Sequence, residues 1–319
     1  MAALTSIEIC AGAGGQALGL ERAGFKHIAL VENDSHACQT LRMNRPEWNV
    51  LEQDVREFVA KEYESVDLLA GGVPCPPFSV AGQRLGADDD RDLFPEMLRL
   101  TEELQPRAVM IENVRGLLDP VFEDYRANLS EAFAELGYAL EFRLYNASDF
   151  GTPQLRPRVV GVALPPEVFA RFQWPSPDET SAPTVGEVLE SLMGDRGWEG
   201  AAEWAQAADK IAPTLVGGSK KHGGPDLGPT RARQAWERLG VNGRTLAEHP
   251  PEPGFEGMPR LTVQMAAVIQ GFPPDWIFSG RKTAAYRQVG NAFPPQVAEA
   301  IGSAISEVLV SEDVKACVA

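Results

Sequence analysis

The sequence predicts an α/β fold in which helices cover a doubly wound, mostly parallel sheet and a smaller domain is inserted late in the chain. Within residues 1–165, apolar strand-like runs alternate with segments of helical periodicity, a pattern typical of parallel sheets. From 166 to 258 this rhythm stops, while Pro, Gly and four tryptophans accumulate. Regular periodicity returns afterwards, so we expect 259–319 to complete the main domain and 166–258 to form the inserted one.

The strands of the main domain are predicted in chain order. Residues 5–11 form the first strand, and a glycine-rich turn leads from it into a helix that ends near Gly24. A second strand over 27–31 ends at Glu32, and Asp54 marks the end of a third. Four further runs rich in branched and aromatic residues favour extended structure. They are 66–72, 108–113, 139–146 and 158–164.

Helices are predicted between the strands and at the C-terminal end. The clearest covers 124–136, where apolar residues recur at spacings of four, four and three and Gly137 follows, as expected for an amphipathic helix with a glycine cap. A final helix is predicted from Pro295 to Val310 on the same kind of spacing.

Composition limits the class of protein. The chain has 319 residues, of which 44% are hydrophobic, so it is long enough for about two domains and too apolar to be disordered. No apolar run approaches the roughly 18 residues that would span a bilayer. The first cation after the start is Arg22, which argues against a secretory signal. We therefore expect a soluble cytoplasmic protein without a membrane partner.

The four cysteines predict neither a disulfide framework nor a metal site. Cys10, Cys38, Cys75 and Cys317 form no CxxC pair and have no matching histidine spacing. Zinc sites and small disulfide scaffolds show such spacings. Each cysteine is therefore considered singly, and no metal is expected.

Charge is distributed unevenly. The formal net charge is −16, which by itself disfavours a polyanionic partner. However, residues 210–244 carry seven cations and two anions, a local excess of five positive charges. This basic segment lies in the predicted inserted domain.

The turn after the first strand has features of a nucleotide-binding site. Gly12, Gly14 and Gly15 open the first helix, where backbone N–H groups face outward and bare glycines allow a ligand close approach. Glu32 and Asp54 follow at later strand ends, where doubly wound folds place acidic residues against ribose and adenine. Glycine in such a turn can also serve a purely steric purpose. The compact GAGG favours S-adenosylmethionine over NAD, whose pyrophosphate usually calls for a more widely spaced motif.

Cys75 is a candidate nucleophile. It follows the strand that ends near 70 and lies among Pro74, Pro76 and Pro77. A lone cysteine is most often a small buried apolar residue. Three prolines nonetheless stiffen the backbone in a way that suits a thiol held against a reaction partner.

Polar side chains near the ends of two later strands are expected to meet at the same edge of the sheet. They are Glu112, Asn113, Gln154, Arg156 and Arg158. A carboxyl group can hydrogen-bond a heteroaromatic ring, and an arginine can bind a ring carbonyl or orient that carboxyl group. A surface ion pair is the alternative.

Six motifs occur in a characteristic order. They are EICAGAGG with Glu32 and Asp54, PCPPFS, IENV, QLRPR, RLTVQMAAVIQGFP and QVGNAFPP. This series resembles the ordered motifs of the bacterial DNA cytosine-5 methyltransferases over the first 165 and last 60 residues. The resemblance implies a Rossmann-like S-adenosylmethionine-dependent catalytic domain (1–165 plus 259–319) and a target-recognition domain (166–258).

The resemblance also assigns catalytic roles. Cys75 is expected to add to ring carbon 6 of a flipped-out cytosine, so that carbon 5 becomes nucleophilic enough to accept a methyl group. Glu112 would protonate or hydrogen-bond ring nitrogen 3, because negative charge develops there. Arg158 would hold the ring oxygen and Glu112, and Arg156 belongs to the same predicted catalytic set.

Twelve residues match positions that contact S-adenosylmethionine in the family. They are Cys10, Ala11, Gly12, Gly14, Gly15, Glu32, Asn33, Asp54, Val55, Pro74, Leu93 and Asn291. Cys10 departs from the family, which usually has phenylalanine there, so this adenine contact is expected to differ. PCP in place of PCQ is a milder departure.

DNA contacts are expected in two places. Ser79 and Arg84, in the loop after the cysteine, would close on phosphates around the extruded base. In the basic segment, Thr214 and Leu215 resemble a Thr-Leu pair common in target-recognition segments. Four cations that follow are candidates for phosphate and groove contacts, with a solvated loop as the alternative: Lys220, Lys221, Arg231 and Arg233.

The predicted partner is double-stranded DNA. A separate restriction endonuclease is a further possible partner, and we expect a monomer associated with the bacterial nucleoid. Two alternatives differ in substrate or activity: a tRNA cytosine-5 methyltransferase and a catalytically inert DNA-binding relative. The large insertion favours duplex DNA over tRNA. The presence of Cys75, Glu112 and the arginines disfavours an inert protein.

Overall fold

The computed structural model describes residues 3–63, 65–74, 92–177, 182–218 and 224–318. The first part of the chain contains β1 (Leu4–Ile9), α1 (Gly15–Arg22), β2 (Phe25–Glu32), α2 (Ser35–Asn44), β3 (Val50–Glu52), β4 (Leu68–Gly71), α3 (Phe94–Leu104), β5 (Ala108–Val114), α4 (Glu123–Glu135), β6 (Ala139–Asn146) and β7 (Pro157–Leu164). Helices follow: α5 (Pro166–Phe169), α6 (Val185–Met193), α7 (Ala201–Ala207), α8 (Thr230–Glu237), α9 (Val263–Ile269), α10 (Lys282–Asn291) and α11 (Pro295–Val318).

The seven strands form one mixed sheet with the order β3-β2-β1-β4-β5-β7-β6. The first five are parallel, as predicted for a doubly wound fold, and β7 is antiparallel to both β5 and β6. The connection between β6 and β7 contains only a short 3₁₀ turn. A connection of that kind joins antiparallel neighbours, because a parallel crossover usually carries a helix.

The predicted ends of β3 and of the final helix differ from the structure. β3 ends at Glu52, and Asp54 instead caps the following 3₁₀ turn by accepting a hydrogen bond from the Arg56 N–H at 3.0 Å. The final helix continues to Val318 rather than ending at Val310. No glycine or proline interrupts its last turns, so nothing in the local sequence ends the helix earlier.

Helices α1 and α11 pack closely enough to require glycine. A Cβ at Gly19 would lie 2.3 Å from the Pro295 carbonyl oxygen and 2.5 Å from Ala298 Cβ. Both distances are far below van der Waals contact. The contact holds the C-terminal helix against the turn that follows β1.

The inserted segment shares its apolar core with neighbouring elements. Trp236 and Val185, both fully buried, belong to the same cluster as Leu261, Met265 and Leu41. Packing therefore continues from the insertion into α9 and across to α2. The division of the chain into two domains stays a prediction.

Across the described part of the chain, no helix is both long and apolar enough to cross a membrane.

Candidate active site

Two cavities lie at the carboxyl ends of the central strands, where open α/β sheets bind ligands. The first cavity, of about 250 Å³, is lined by residues from β1, the glycine turn, β2, β5 and α10. The second cavity, also of about 250 Å³, lies beside β2 and β3 and includes Pro74 and Leu93. Cys10 and Glu32 line both cavities, so the two form adjoining parts of one site.

The glycine turn is built around the Glu32 carboxylate. Its Oε2 accepts a hydrogen bond from the Gly12 N–H at 2.8 Å, and its Oε1 accepts one from the Asp34 N–H at 2.7 Å. Gly12 has a φ of 54°, a left-handed conformation that favours glycine. Burial raises the pKa of Glu32, while the backbone N–H groups of Asp34 and Gly12 oppose the rise. The carboxylate is thus fixed where the two cavities meet.

Eleven of the twelve predicted cofactor residues line at least one cavity. The first cavity includes Cys10, Ala11, Gly12, Gly15, Glu32 and Asn291. The second includes Cys10, Glu32, Asn33, Asp54, Val55, Pro74 and Leu93.

Gly14 is the exception, and its predicted contact with the cofactor stays a prediction. It lines neither of the two cavities. A Cβ there would lie 2.7 Å from Leu41 Cδ2 and 3.1 Å from a ring carbon of Trp276. The glycine is needed because α2 and Trp276 pack against the turn.

Cys10 occupies a strained and partly buried position between the cavities. Its φ of 54° is uncommon for a residue with a side chain. Burial raises the pKa of its thiol to about 12, and the nearby carboxylates of Glu32 and Asp54 add to this effect. Cys10 is therefore a neutral thiol at physiological pH.

Glu112 and Arg158 form an ion pair. The sequence had left open whether these side chains bind a ring or form an ion pair at the surface. In the antiparallel register, Val114 faces Arg158 and Glu112 faces Val160, so the two charged side chains are diagonal neighbours on one face. Arg158 Nε lies 2.9 Å from Glu112 Oε1, and the side chains are only 12% and 13% exposed. The pair is buried, which excludes a simple surface ion pair.

The Glu112 carboxyl faces the first cavity. A Cβ at Gly72 would lie 3.0 Å from Glu112 Oε2, so glycine leaves this oxygen accessible. Burial raises the pKa of Glu112, and the charges of Arg158 and Arg156 act against that rise. A carboxyl group with a raised pKa keeps its proton at higher pH and is suited to act as an acid.

Asn113, beside Glu112, joins β5 to the segment that precedes the predicted nucleophile. Its Nδ2 donates a hydrogen bond to the Val73 carbonyl oxygen at 2.8 Å. Pro74 follows, and its carbonyl oxygen accepts a hydrogen bond from the Leu93 N–H at 3.4 Å. The described chain therefore reaches the edge of the second cavity immediately before position 75.

Five predicted site residues lie outside the described residues. They are Cys75, Ser79, Arg84, Lys220 and Lys221.

Arg156 is placed differently from the expected catalytic contact. It is fully buried and lines neither cavity. Its Nη1 donates to the Leu215 carbonyl oxygen at 2.7 Å, and its Nη2 donates to the carbonyl oxygens of Gly290 at 2.7 Å and Ala292 at 3.1 Å. The guanidinium is thus held by backbone carbonyl oxygens, which favours a positioning role, and its predicted contact with the reacting base stays a prediction.

The two described cations of the predicted DNA-binding set lie on α8. Arg231 is exposed and Arg233 is partly exposed, and Arg233 Nη2 donates to Thr230 Oγ1 at 3.4 Å. Thr214, at the start of the segment, donates from Oγ1 to the Leu155 carbonyl oxygen at 2.6 Å. The segment is therefore anchored beside the loop that leads into β7.

Glu8 and Gln16, which were not predicted as site residues, both line the first cavity. Their exposed fractions are 1% and 4%. Glu8 Oε2 and both polar side-chain atoms of Gln16 have no hydrogen-bond partner among the described residues. Burial, followed by the charge of Glu32, raises the pKa of Glu8 well above its ordinary value. The signal in the sequence was a carboxylate between two isoleucines of β1.

Arg287 was also missed. It lines the first cavity, and its Nη2 lies 3.3 Å from Asp34 Oδ2. It directly precedes the QVGN motif, although no spacing rule distinguishes it from a surface cation.

A model of the C-5 cytosine-specific DNA methylase family matches residues 4–307. The chain is 55% identical over 316 residues to the Type II methyltransferase M.NgoMIV of Neisseria gonorrhoeae, covering 97% of this chain and 99% of the relative. It is 56% identical over 318 residues to the Type II methyltransferase M.NaeI of Lentzea aerocolonigenes, covering 98% of this chain and 77% of the relative.

Solved structures with low identity share the fold. The Entamoeba histolytica methyltransferase EhMeth superposes with a TM-score of 0.67 at 15% identity, covering 97% of this chain and 99% of the other. The S. pombe Dnmt2 methyltransferase superposes with a TM-score of 0.62 at 19% identity, covering 96% and 99%. The predicted α/β methyltransferase fold is confirmed.

Proposed function

The chain belongs to the C-5 cytosine-specific DNA methylase family, and from this premise we propose how its residues carry out the reaction. The protein is a DNA cytosine-5 methyltransferase that uses S-adenosylmethionine. The proposed mechanism depends chiefly on one observation. The buried Glu112 carboxyl group faces the first cavity and is paired with Arg158 at 2.9 Å.

The two cavities fit S-adenosylmethionine. Glu32 and the second cavity, with Asp54 and Val55, would hold the ribose and adenine. The unpartnered polar atoms of Glu8 and Gln16 in the first cavity support this fit, because buried polar atoms without partners are costly and a polar ligand would satisfy them. When bound, the cofactor supplies an electrophilic methyl group.

Carbon 5 of cytosine needs prior activation, and Cys75 is the proposed nucleophile. Its thiolate would form a bond to ring carbon 6, which places electron density on carbon 5. After carbon 5 has taken up the methyl group, loss of its proton expels the thiolate and restores the aromatic ring. Pro74, at the edge of the second cavity, supports a position for Cys75 next to the cofactor.

Glu112 is the proposed acid for ring nitrogen 3. Negative charge moves onto this nitrogen as the thiolate adds to carbon 6, so a proton or hydrogen bond there lowers the barrier. The raised pKa of Glu112, caused by burial, makes the protonated form more available. The same burial excludes water that would compete for the proton.

Arg158 orients Glu112 in this proposal. Its Nε–H is 2.9 Å from Oε1 of the carboxyl group, which leaves Oε2 directed toward Gly72 and the cavity. Arg158 Nη1 donates to the Pro157 carbonyl oxygen at 2.8 Å, so Nη2 is the group proposed to bind the ring oxygen of cytosine. In this proposal Arg156 does not contact the base. It holds the backbone of Leu215, Gly290 and Ala292 in place.

DNA binding is assigned to the inserted domain. Arg231 and Arg233 on α8 are proposed to contact phosphates and groove edges, and Lys220 and Lys221, which lie outside the described residues, are proposed as further contacts from the sequence. The reacting atoms of cytosine are inaccessible within a duplex, so the base must be extruded at a cost of a few kcal/mol. Ser79 and Arg84 are proposed to contact phosphates around it.

The biological partners follow from the relatives. Type II methyltransferases act on DNA and belong to restriction–modification systems, and the two relatives named above bear that designation. We therefore propose a cognate endonuclease that acts as a separate protein, and a monomeric enzyme that works at the bacterial nucleoid. Neither the tRNA methyltransferase nor the inert relative is favoured by the family match.

A trapping experiment tests the covalent mechanism. A duplex with 5-fluorocytosine in its methylation site has no carbon 5 proton to lose, so the protein should remain bonded to it in denaturing gels. Cys75→Ser should abolish this band and turnover while preserving duplex binding. Cys317→Ser, a matched control in the last turn of α11, should retain both. A trapped band or methylation with Cys75→Ser would refute the assignment.

A further inference from the structure

The last turn of α10 belongs to two functional surfaces. On one side, Arg287, Gln288 and Asn291 line the first cavity. On the other side, the same turn contacts Val216–Gly218, in the segment that leads toward the predicted DNA-binding cations.

Backbone atoms of α10 and of this segment approach each other closely, and the Asn291 side chain joins the contact. A Cβ at Gly217 would lie 2.5 Å from the Arg287 carbonyl oxygen and 2.6 Å from Asn291 Oδ1. A Cβ at Gly290 would lie 2.3 Å from the Gly217 nitrogen. In addition, Asn291 Nδ2 donates to the Gly218 carbonyl oxygen at 3.1 Å. Because the two backbones pack this closely, a shift of one backbone must move the other.

A buried polar network binds the backbone on both sides of this contact. Besides the Arg156 hydrogen bonds to Leu215, Gly290 and Ala292 given above, Gln154 Oε1 accepts a hydrogen bond from the Leu215 N–H at 2.8 Å. Arg156 and Gln154 are both fully buried. Buried networks of this kind hold their members in one arrangement.

The segment also contacts the turn before α8. A Cβ at Gly228 would lie 3.8 Å from Val216 Cγ2 and 3.3 Å from Ala232 Cβ. Helix α8 begins two residues later, at Thr230, and carries Arg231 and Arg233. A continuous set of contacts therefore runs from the cofactor cavity through α10 and Val216–Gly218 to α8.

We propose that the close contact of Val216–Gly218 with the last turn of α10 couples cofactor binding to DNA binding. A cofactor in the first cavity restrains α10, α10 restrains Val216–Gly218, and this segment positions α8 for the duplex. The inference rests on the proposed function, because it takes α8 as part of the DNA surface. Coupling is reciprocal, so the duplex must tighten cofactor binding by the same factor.

The test compares two glycine-to-alanine variants between α7 and α8. Gly217→Ala introduces a Cβ against α10, whereas among the described residues a Cβ at Gly224 meets just the end of the Asp226 side chain, at 3.1 Å. The probes are S-adenosylhomocysteine, which cannot donate a methyl group, and a duplex carrying the methylation site mapped by bisulfite sequencing. The dissociation constant of each probe is measured with and without the other by calorimetry and fluorescence anisotropy.

In the wild type, each probe should tighten the other by at least about fivefold, the lower end of typical coupling factors. Gly217→Ala should bring that factor to within about twofold of one, and Gly224→Ala should keep the wild-type factor. A wild-type factor near one would overturn the proposal. So would a Gly217→Ala protein that binds both probes more weakly yet keeps the wild-type factor, since the contact would then be only structural.

If Gly217→Ala does not fold, hydrogen exchange of the wild type tests the proposed coupling instead. S-adenosylhomocysteine alone should slow exchange in peptides covering 212–218 and 228–233, and unchanged exchange there would overturn the proposal. Failure of the proposed function has a different signature. It would appear as a wild-type protein that neither binds nor methylates duplex DNA.

Discussion

Substitution of Glu112 by glutamine tests the proposed acid with little change in shape. The amide oxygen of glutamine can still accept the hydrogen bond from Arg158 Nε, which lies 2.9 Å from Glu112 Oε1. The amide can also donate a hydrogen bond to ring nitrogen 3, but it cannot transfer a proton. General acid catalysis typically contributes about 10²–10⁴-fold to the rate, or about 2.7–5.4 kcal/mol at 1.36 kcal/mol per tenfold. We expect turnover to fall at least about 100-fold.

The pH dependence provides a second readout. Burial raises the pKa of Glu112, so the protonated form declines as the pH rises through this raised value. Wild-type turnover should decline with it on the alkaline side. Glutamine does not titrate, so the Glu112→Gln profile should lose this decline and keep only the rise that accompanies formation of the Cys75 thiolate. Single-turnover transfer of tritiated methyl groups to duplex DNA, measured across the pH range, gives both results.

Glu141→Gln is the matched control. Glu141 is an exposed residue of β6 in the same sheet, and its substitution should leave rate and profile unchanged. Thermal melts and duplex binding establish that both variants are folded. A Glu112→Gln enzyme within about threefold of the wild-type rate would refute the role of Glu112 as acid. An unchanged alkaline limb would do the same.

Three further predictions concern the DNA surface, the free thiols and the buried Glu8. If the five excess positive charges of residues 210–244 each neutralise a phosphate, duplex affinity should fall roughly 500-fold between 50 and 200 mM salt; a flat dissociation constant in anisotropy titrations would exclude this surface. Because the pKa values of Cys10 and Cys38 are raised to about 12, iodoacetamide at pH 8 should leave both unmodified in the native protein and alkylate both in urea, as peptide mass mapping can check. Since the folded-state pKa of Glu8 is raised, its contribution to stability is complete below its unfolded pKa and is lost as the pH rises through the raised value. Glu8→Gln should therefore have a higher melting temperature than the wild type between pH 5 and pH 8, by about 1.5 °C per kcal/mol for a chain of this length, and a variant less stable than wild type at pH 8 would contradict this.

The strands of the fold were predictable because their signal is local. Alternating apolar runs and helical segments predicted β1, β2 and the strands from β4 to β7 to within a few residues of their observed bounds. The antiparallel placement of β7 between β5 and β6 was not predicted, since strand order depends on contacts between distant segments. The length of α11 was underestimated, although no glycine or proline occurs between Val310 and Val318 that would end the helix earlier.

The residues of the candidate site that belong to sequence motifs could be predicted. Glu32 and Glu112 lie near the carboxyl ends of parallel strands, which meet at one edge of the sheet. Arg158 reaches the same edge because it lies near the start of the antiparallel strand β7. Arg156 precedes β7, and its complete burial against the backbone of Leu215, Gly290 and Ala292 could not be predicted, because those contacts join segments that are distant in sequence.

Local sequence specified which chemical groups this protein has available. They are a glycine turn, acidic residues at strand ends, a cysteine flanked by prolines and a basic segment, and each is recognisable from neighbouring residues. Tertiary packing decided which of these groups are buried, paired or left without partners. Glu8 and Gln16 are 8 residues apart in the chain and became cavity-lining groups only when β1 and α1 closed on each other. Backbone contact between Gly217 and Gly290 likewise exists only in the folded molecule, because burial and close approach depend on segments that are distant in sequence.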